Sequence, residues 1–131
     1  MKIEKGRTVV FDFDGVIHKY SEGWLDGSIY DEANMDMIKL ISRLQGLNIP
    51  CAIVSTRDPY QIKEWWDHQR FNVAAEVISN DAQFFNDCRF VGITNRKIAA
   101  QLYIDDRAYL YQGQTCQQML SELLEQQIEC T

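Results

Sequence analysis

The chain has 131 residues, of which 46% are hydrophobic and 11% aromatic, enough for one packed core, and this composition excludes an intrinsically disordered protein. Its formal charge of −6 argues against extended binding to nucleic acid but not against a phosphorylated substrate, because a bound cation reverses the local field. The sequence has no apolar run of membrane-spanning length and no apolar signal-peptide core near its start, so we expect one cytoplasmic domain over 1–131 without membrane association.

The first predicted element is a buried strand over 8–13 that ends in two acids. Asp12 and Asp14 are two positions apart, so their carboxylates point to the same side of an extended chain. Like charges this close repel each other, and a divalent cation is the usual compensation. Gly15 then allows a sharp turn, whereas a calcium loop fails because its twelfth position, normally Glu, is Gly23. The pattern therefore favours a metal-assisted acidic site over a plain strand-to-turn exit.

The next segment, 14–30, is rich in glycine and aromatic residues and predicts a loop or a small hairpin flap. We expect His18 to be a solvent-exposed loop residue, with a contact to substrate as the alternative. Trp24 and Tyr30 fit two roles equally well, covering a pocket or packing within the flap. A helix is predicted over 32–46, where apolar residues recur on one face.

The rest of the chain alternates strands and helices. After a buried strand over 50–55, Asp58 caps a helix, with Pro59 in its first turn and Gln61 completing a spacing like that of a capping box. Arg57 either contacts substrate or forms a salt bridge with a helix. Further strands are predicted over 74–79, 89–93, 100–105 and 108–111, with an optional short helix within 80–88. A final helix opens at the capping box Thr115–Gln118 and carries the apolar residues Leu120, Leu123, Leu124 and Ile128. The alternation predicts an α/β fold with a mostly parallel sheet.

Polar side chains follow several of these predicted strands. Ser55 and Thr56 follow the second strand, Asp105 and Asp106 follow a late one, and Lys97 precedes that late strand. Ligands of parallel sheets gather beyond the carboxyl ends of the strands, so we expect these groups to meet the first two aspartates at one edge. A strand-end hydroxyl or a single lysine is ordinary by itself. Several carboxylates at one edge, however, need a cation in order to coexist.

The order of these motifs carries a resemblance. The chain resembles the haloacid dehalogenase superfamily, and most closely its small phage-type phosphatase-like members. The motifs that carry the resemblance are, in order, Asp12-x-Asp14-Gly, a strand ending in Ser55, Lys97, and Ile-Asp105-Asp. The resemblance covers residues 8 to about 113. It implies a three-layer, doubly wound, Rossmann-like core.

The resemblance also implies roles for the matching residues. Asp12 matches the nucleophile that forms an aspartyl-phosphate, and Asp14 matches the acid/base that protonates the leaving oxygen and then activates water. Ser55, with Thr56 as the fallback, matches the hydroxyl that holds a phosphoryl oxygen. Lys97 matches the cation that steadies the transferring group. The implied Mg²⁺ ligands are Asp12, the backbone carbonyl of Asp14, Asp105 and, either directly or through a water molecule, Asp106.

Together these features predict a Mg²⁺-dependent phosphatase acting on a phosphomonoester. Larger members of the superfamily insert a cap domain between these motifs, but here 15–54 and 56–96 are filled by the flap and the predicted helices and strands. We therefore expect an uncapped core whose open site accepts a macromolecular or nucleotide substrate, or uses a second copy of the chain as a lid. The alternative is a non-enzymatic module, either receiver-like or a degenerate member of the superfamily, that binds Mg²⁺ and phosphate without turnover.

Overall fold

The computed structural model describes residues 2–125, which form one five-stranded sheet and the helices around it. The elements in chain order are β1 (Val9–Phe11), α1 (Met35–Gly46), β2 (Cys51–Val54), α2 (Pro59–Gln69), β3 (Ala75–Val77), β4 (Val91–Thr94), β5 (Leu102–Ile104) and α3 (Cys116–Leu124). Every strand pair is parallel, and the strand order is β3-β4-β2-β1-β5. The predicted α/β fold with a Rossmann-like parallel sheet is confirmed.

One face of the sheet is covered by α1 and α2. Successive side chains of a strand point to opposite faces, and Phe11 and Ile53 point to this face. Ile41 of α1 and Trp66 of α2 pack into the same core, and both are almost completely buried. The indole N–H of Trp66 donates to the carbonyl oxygen of Val73 at 2.8 Å, so the polar atom of this large side chain is satisfied inside the core.

The opposite face is covered by chain without regular secondary structure. Val10 and Ala52 point to this face and pack against Phe85 and Ile98, which lie in the connections before and after β4. Gly92 of β4 makes room for this layer, since a Cβ atom there would lie 2.9 Å from the ring of Phe85. The sheet is thus buried on both faces, as parallel sheets are.

The connections between strands follow a doubly wound path. The crossovers from β1 to β2 and from β2 to β3 use α1 and α2 on one face, while those from β3 to β4 and from β4 to β5 run over the other face. Because the crossovers on the two faces run in opposite directions along the sheet, all of them have the same handedness. The chain departs from β1 towards β2 and returns to its other side as β5, so the strand order reverses at β1. Ligands of doubly wound sheets bind at such a switch point.

Several predicted boundaries differ from the observed ones. α1 begins at Met35, not at residue 32, because the side chain of Asn34 accepts a hydrogen bond from the Asp36 N–H and caps the helix there. The optional helix within 80–88 is absent, and this segment is turn and irregular chain.

The C-terminal part of the described chain gives a mixed outcome. The predicted strand over 108–111 does not form, and Leu110 and Tyr111 are exposed. The capping box that opens α3 is confirmed, since both hydrogen bonds between Thr115 and Gln118 are present. The predicted apolar position Ile128 lies outside the described residues. Over 2–125, no helix is long and apolar enough to cross a bilayer.

Candidate metal and phosphate site

The acids of the site are brought together by the register of β1 and β5. Phe11 is paired with Ile104, and the Asp12 N–H donates to the Ile104 carbonyl at 2.9 Å, so Asp12 and Asp105 leave the sheet side by side. One carboxylate oxygen from each of Asp12, Asp105 and Asp106 lies within 4.8 Å of the others. The predicted convergence of the first and last motifs at one sheet edge is therefore present in the structure.

Gly15 is required by this convergence. Its φ of +87° lies in the left-handed region, and a Cβ atom at this position would stand 2.2 Å from Oδ2 of Asp106. Glycine alone satisfies both the backbone conformation and the close approach. The turn after β1 therefore lies directly against the carboxylate of Asp106, an acid that is distant in sequence.

The pKa of Asp12 is raised from 3.8 to about 6. Removal of the carboxyl from water is the largest cause, and the negative charges of Asp105, Asp106 and Asp14 add to it. A hydrogen bond from the Phe13 N–H opposes these effects. Ionised Asp12 is thus held at a cost in free energy, which a bound cation would relieve.

The donor set fits a hard divalent cation. Mg²⁺ takes carboxylate oxygens at about 2.1 Å, so two ligands on opposite sides of the ion are ~4.2 Å apart. The separations of up to 4.8 Å between Asp12, Asp105 and Asp106 need only a small contraction, which the exposed side chains of Asp105 and Asp106 allow. These carboxylates would hold the ion, and the backbone carbonyl of Asp14 stays a predicted ligand.

The carboxylate of Asp14 is fixed by two neighbours. Nε of Arg57 donates to its two oxygens at 3.1 and 2.9 Å, and Nδ1 of His18 lies 2.8 Å from Oδ1. The Arg57 side chain is fully buried and that of Asp14 is 19% exposed, which makes this a largely desolvated ion pair. The carboxylate of Asp14 is therefore held in a fixed orientation where it lines the same cavity as Asp12.

His18 was predicted to be solvent-exposed, and this prediction was wrong. The ring is fully buried, stacked on Phe13 at 5.5 Å and edge-on to Tyr30 at 5.3 Å between centroids. Its Nε2 accepts the backbone N–H of Asp31 at 3.0 Å, so the ring proton is assigned to Nδ1, which donates to Asp14. His18 thus acts as a neutral positioning residue that also ties the flap to the site.

Arg57 joins the flap to the same acid. Its Nη1 donates to the Gly27 carbonyl at 2.6 Å, and its Cζ lies 4.4 Å from the centre of the Trp24 ring. The partner of its salt bridge is Asp14 and not a helix residue, which differs from the salt bridge that the sequence suggested. Gln61 donates to Gly27 at 3.0 Å, so its side chain serves the flap and not the capping-box arrangement predicted for α2.

A cavity of about 300 Å³ opens beside the acids at the carboxyl ends of the strands. Its polar lining consists of Asp12, Asp14, Ser55, Thr56, Asn95 and Arg107, and its flap side of Tyr20 and Trp24. Both predicted hydroxyl residues therefore border it. The buried Ser55 hydroxyl accepts the Arg57 N–H at 3.2 Å, which leaves its own proton for a ligand, whereas Thr56 is exposed.

The structure does not bring Lys97 into this group. The side chain is exposed, its Nζ lies 5.4 Å from the centre of the Tyr103 ring, and within residues 2–125 it forms no ion pair with an acid. The cation that lines the cavity is Arg107, which sequence reasoning missed. Its position directly after Asp106 was the available signal, and its N–H donates to Asp105 at 2.9 Å.

Asn95 was also missed. It follows β4 directly, so the rule that selected the other strand-end residues applied to it as well.

No protein-family model, curated protein or solved structure matches this chain. A function is therefore inferred from the geometry of the site and from the order of its motifs.

Proposed function

We propose that this protein is a Mg²⁺-dependent phosphatase that hydrolyses a phosphomonoester through an aspartyl-phosphate on Asp12. The observation that carries the proposal is the convergence of Asp12, Asp105 and Asp106 within 4.8 Å beside a cavity that Ser55 and Thr56 also line. A phosphate dianion would be repelled by these acids alone. When bound, Mg²⁺ would neutralise charge on the acids and on the phosphoryl oxygens, which is most of what phosphoryl transfer requires.

The side chains support a displacement in two steps. In the first, a carboxylate oxygen of Asp12 bonds to phosphorus, the bond to the ester oxygen breaks, and Asp14 supplies a proton to the leaving oxygen. In the second, Asp14 takes a proton from water as that water attacks phosphorus, which releases phosphate and restores Asp12. The Ser55 and Thr56 hydroxyls donate to the phosphoryl oxygens in both steps.

The hydrogen bonds of Asp14 favour the second of these steps. Arg57 and His18 both donate to its carboxylate, so the group is arranged to accept a proton from water. The first step needs a proton on Oδ2, where the contact with Nε of Arg57 is 2.9 Å. A small movement of Asp14 that keeps the contacts of Oδ1 with Arg57 and His18 would free Oδ2 for that proton.

The openness of the cavity supports a broad range of substrates in principle. Over 2–125, the only chain on its flap side is the flap, through Tyr20 and Trp24, with no separately folded cap. An open site of this kind suits a phosphorylated metabolite, nucleotide or macromolecule, with a second copy of the chain as one way of closing it. The proposal places this reaction in the cytoplasm.

A second candidate is a Mg²⁺- and phosphate-binding module without turnover, receiver-like or degenerate. The position of Lys97 over the Tyr103 ring favours it, because the cation that the resemblance assigns to phosphoryl transfer is outside the acidic cluster. The ion pair that engages Asp14 points the same way, since it occupies the proposed general acid.

Hydrolysis of para-nitrophenyl phosphate separates these two candidates. The reaction is measured with Mg²⁺ and with EDTA for the wild type, for Asp12→Asn, and for Glu64→Gln as a control acid exposed on α2. A phosphatase requires turnover that EDTA and Asp12→Asn abolish and that Glu64→Gln leaves intact. A folded wild type that binds Mg²⁺ but hydrolyses neither this ester nor a panel of phosphorylated metabolites would favour the binding module.

A further inference from the structure

The flap presents an aromatic ring at the rim of the acidic cavity. Trp24 is 53% exposed, although it is among the largest apolar side chains, and it lines the same cavity as Asp12 and Asp14. By contrast, Trp65 and Trp66 are 9% and 1% exposed and belong to the core. Single exposed aromatic side chains are common on protein surfaces and do not by themselves indicate a binding site. An exposed ring that is held in place beside a cavity is better evidence for one.

The ring of Trp24 is held by contacts with Arg57 and with the turn at Gly27. The guanidinium of Arg57 lies 4.4 Å from its centre, and the turn that returns under the ring is closed by the Gly27 N–H, which donates to the Trp24 carbonyl at 2.9 Å. Gly27 has a φ of +85°, and a Cβ atom there would lie 3.0 Å from the indole. The ring is therefore in contact with Arg57 and with the turn at Gly27, and 53% of Trp24 still remains exposed at the rim of the cavity.

The burial of the Arg57 guanidinium beneath this ring costs free energy. The Arg57 side chain is fully buried, and its Nη2 has no hydrogen-bond partner in the described part of the chain. A buried, unpaired donor on a charged group is expensive, and stacking on the indole is what compensates it here.

We propose that Trp24 is a stacking platform for the base of a mononucleotide whose phosphate lies at the acids. This inference rests on the proposed function for the position of the phosphate. A ligand that extends from Asp12 towards Trp24 carries a phosphoryl group at one end and a flat ring at the other. Asn95 and Thr56 line the same cavity and offer polar groups to a sugar or to a base edge.

The cavity and the charge favour a single nucleotide over a nucleic-acid chain. About 300 Å³ is at the lower end of the size of small-molecule sites. A formal charge of −6 gives a polyanion no extended track beyond the cavity. The metal site and Arg107 need to compensate only one phosphoryl group.

The test compares adenosine 5′-monophosphate with ribose 5-phosphate, which has the same phosphate and sugar but no base. Binding is measured by calorimetry in an Asp12→Asn background, in which turnover does not interfere, at a Mg²⁺ concentration raised to saturate the metal site that this substitution weakens. The value of kcat/KM is measured in the otherwise wild-type chain. Trp24→Ala and Trp24→Phe test the ring. Tyr60→Ala is the matched control, because Tyr60 is 69% exposed and outside the cavity lining.

We expect the base to improve affinity and kcat/KM roughly 5- to 150-fold, as stacking of one base on an aromatic ring does. Trp24→Ala should bring the ratio of the two ligands close to one, Trp24→Phe should keep part of it, and Tyr60→Ala should keep all of it. Quenching of tryptophan fluorescence by adenosine 5′-monophosphate should disappear in Trp24→Phe, a variant that retains a ring to support the flap.

Two results would overturn the stacking role of Trp24. One is a ratio near one in the parent protein, and the other is a ratio that Trp24→Ala does not change. A 5′-phosphorylated tetranucleotide that binds tenfold more tightly than the mononucleotide would replace the mononucleotide with a nucleic-acid end. Hydrolysis of both ligands at equal kcat/KM would refute the platform alone, whereas Trp24-dependent binding without any hydrolysis would refute the phosphatase alone.

Discussion

Replacing Asp12 with asparagine should stabilise the metal-free protein at neutral pH. The fold raises the pKa of Asp12 from its ordinary value of 3.8 to about 6, and a rise of about two pH units corresponds to about 3 kcal/mol. The carboxyl is only partly buried, so solvent screening reduces the expected effect to about 1–2 kcal/mol. Asp12→Asn removes this penalty because it keeps the shape of the side chain without the charge.

The sign of the pH dependence follows from the raised pKa. Below pH 3.8 Asp12 is protonated in both the folded and the unfolded state, so it does not lower the free energy of unfolding. As the pH rises from 3.8 through about 6, the unfolded state loses its proton first, so the folded state of the wild type becomes progressively less stable than that of Asp12→Asn. Above about pH 6 the difference in the free energy of unfolding should be constant.

The assay is urea unfolding in EDTA, followed by tryptophan fluorescence, from acidic to mildly alkaline pH. Glu64→Gln, an exposed acid on α2, is the control and should show no such dependence. Added Mg²⁺ should stabilise the wild type by mass action and stabilise Asp12→Asn much less, so that the order of the two proteins reverses at high Mg²⁺. If Asp12→Asn is less stable than the wild type at every pH in EDTA, then burial of the ionised Asp12 carboxylate does not destabilise the fold and the reasoning is refuted.

Further variants test the rest of the site. Arg57→Ala should lower the free energy of unfolding by about 3–5 kcal/mol, because it leaves Asp14 largely buried without its cation. Urea unfolding measures this loss, and a value under about 1 kcal/mol would show that the ion pair does not stabilise the fold. Gly15→Ala should push Asp106 aside and weaken Mg²⁺ binding at least tenfold by calorimetry, with unchanged affinity as the contrary result. Arg107→Ala should raise KM for a phosphomonoester more than Lys97→Ala does, and the reverse order would return Lys97 to the role that the resemblance implies for it.

The features that the sequence predicts well are those set by local pattern. Apolar runs that end in Asp12, Ser55 or Asp105 mark both the strands and the edge at which their polar ends meet, because parallel strands place their carboxyl ends together. The caps at Asp58 and Thr115 are local for the same reason, since each depends on a side chain and a backbone N–H within the same turn.

The features that the sequence does not predict depend on contacts between distant segments. Nothing near His18 signals that its ring lies beneath Trp65 and Tyr30, and the ion pair of Arg57 with Asp14 joins the second strand end to the first. An isolated apolar or charged residue carries no pattern that would identify its partner.

The same limit explains the predicted strand over 108–111, which does not form, and the position of Lys97. The run over 108–111 is apolar enough for a strand, but β5 ends the sheet without pairing to it, so its side chains stay exposed. Lys97 lies in an irregular crossover without a helical or strand period, and its direction follows from the ring of Tyr103, which no spacing rule includes.

The double engagement of Arg57 restricts how this protein can evolve. One guanidinium orients Asp14, the proposed acid/base residue, and contacts the ring of Trp24. A mutation that reshapes the flap for a different ligand therefore also disturbs the group proposed to move protons. Changes at 24 and 57 should therefore be strongly epistatic, with combined effects that differ from the sum of the single ones. Laboratory selection for new substrates would be expected to begin elsewhere on the cavity wall, at Thr56 or Asn95, where side chains are exposed and this coupling is absent among the described contacts.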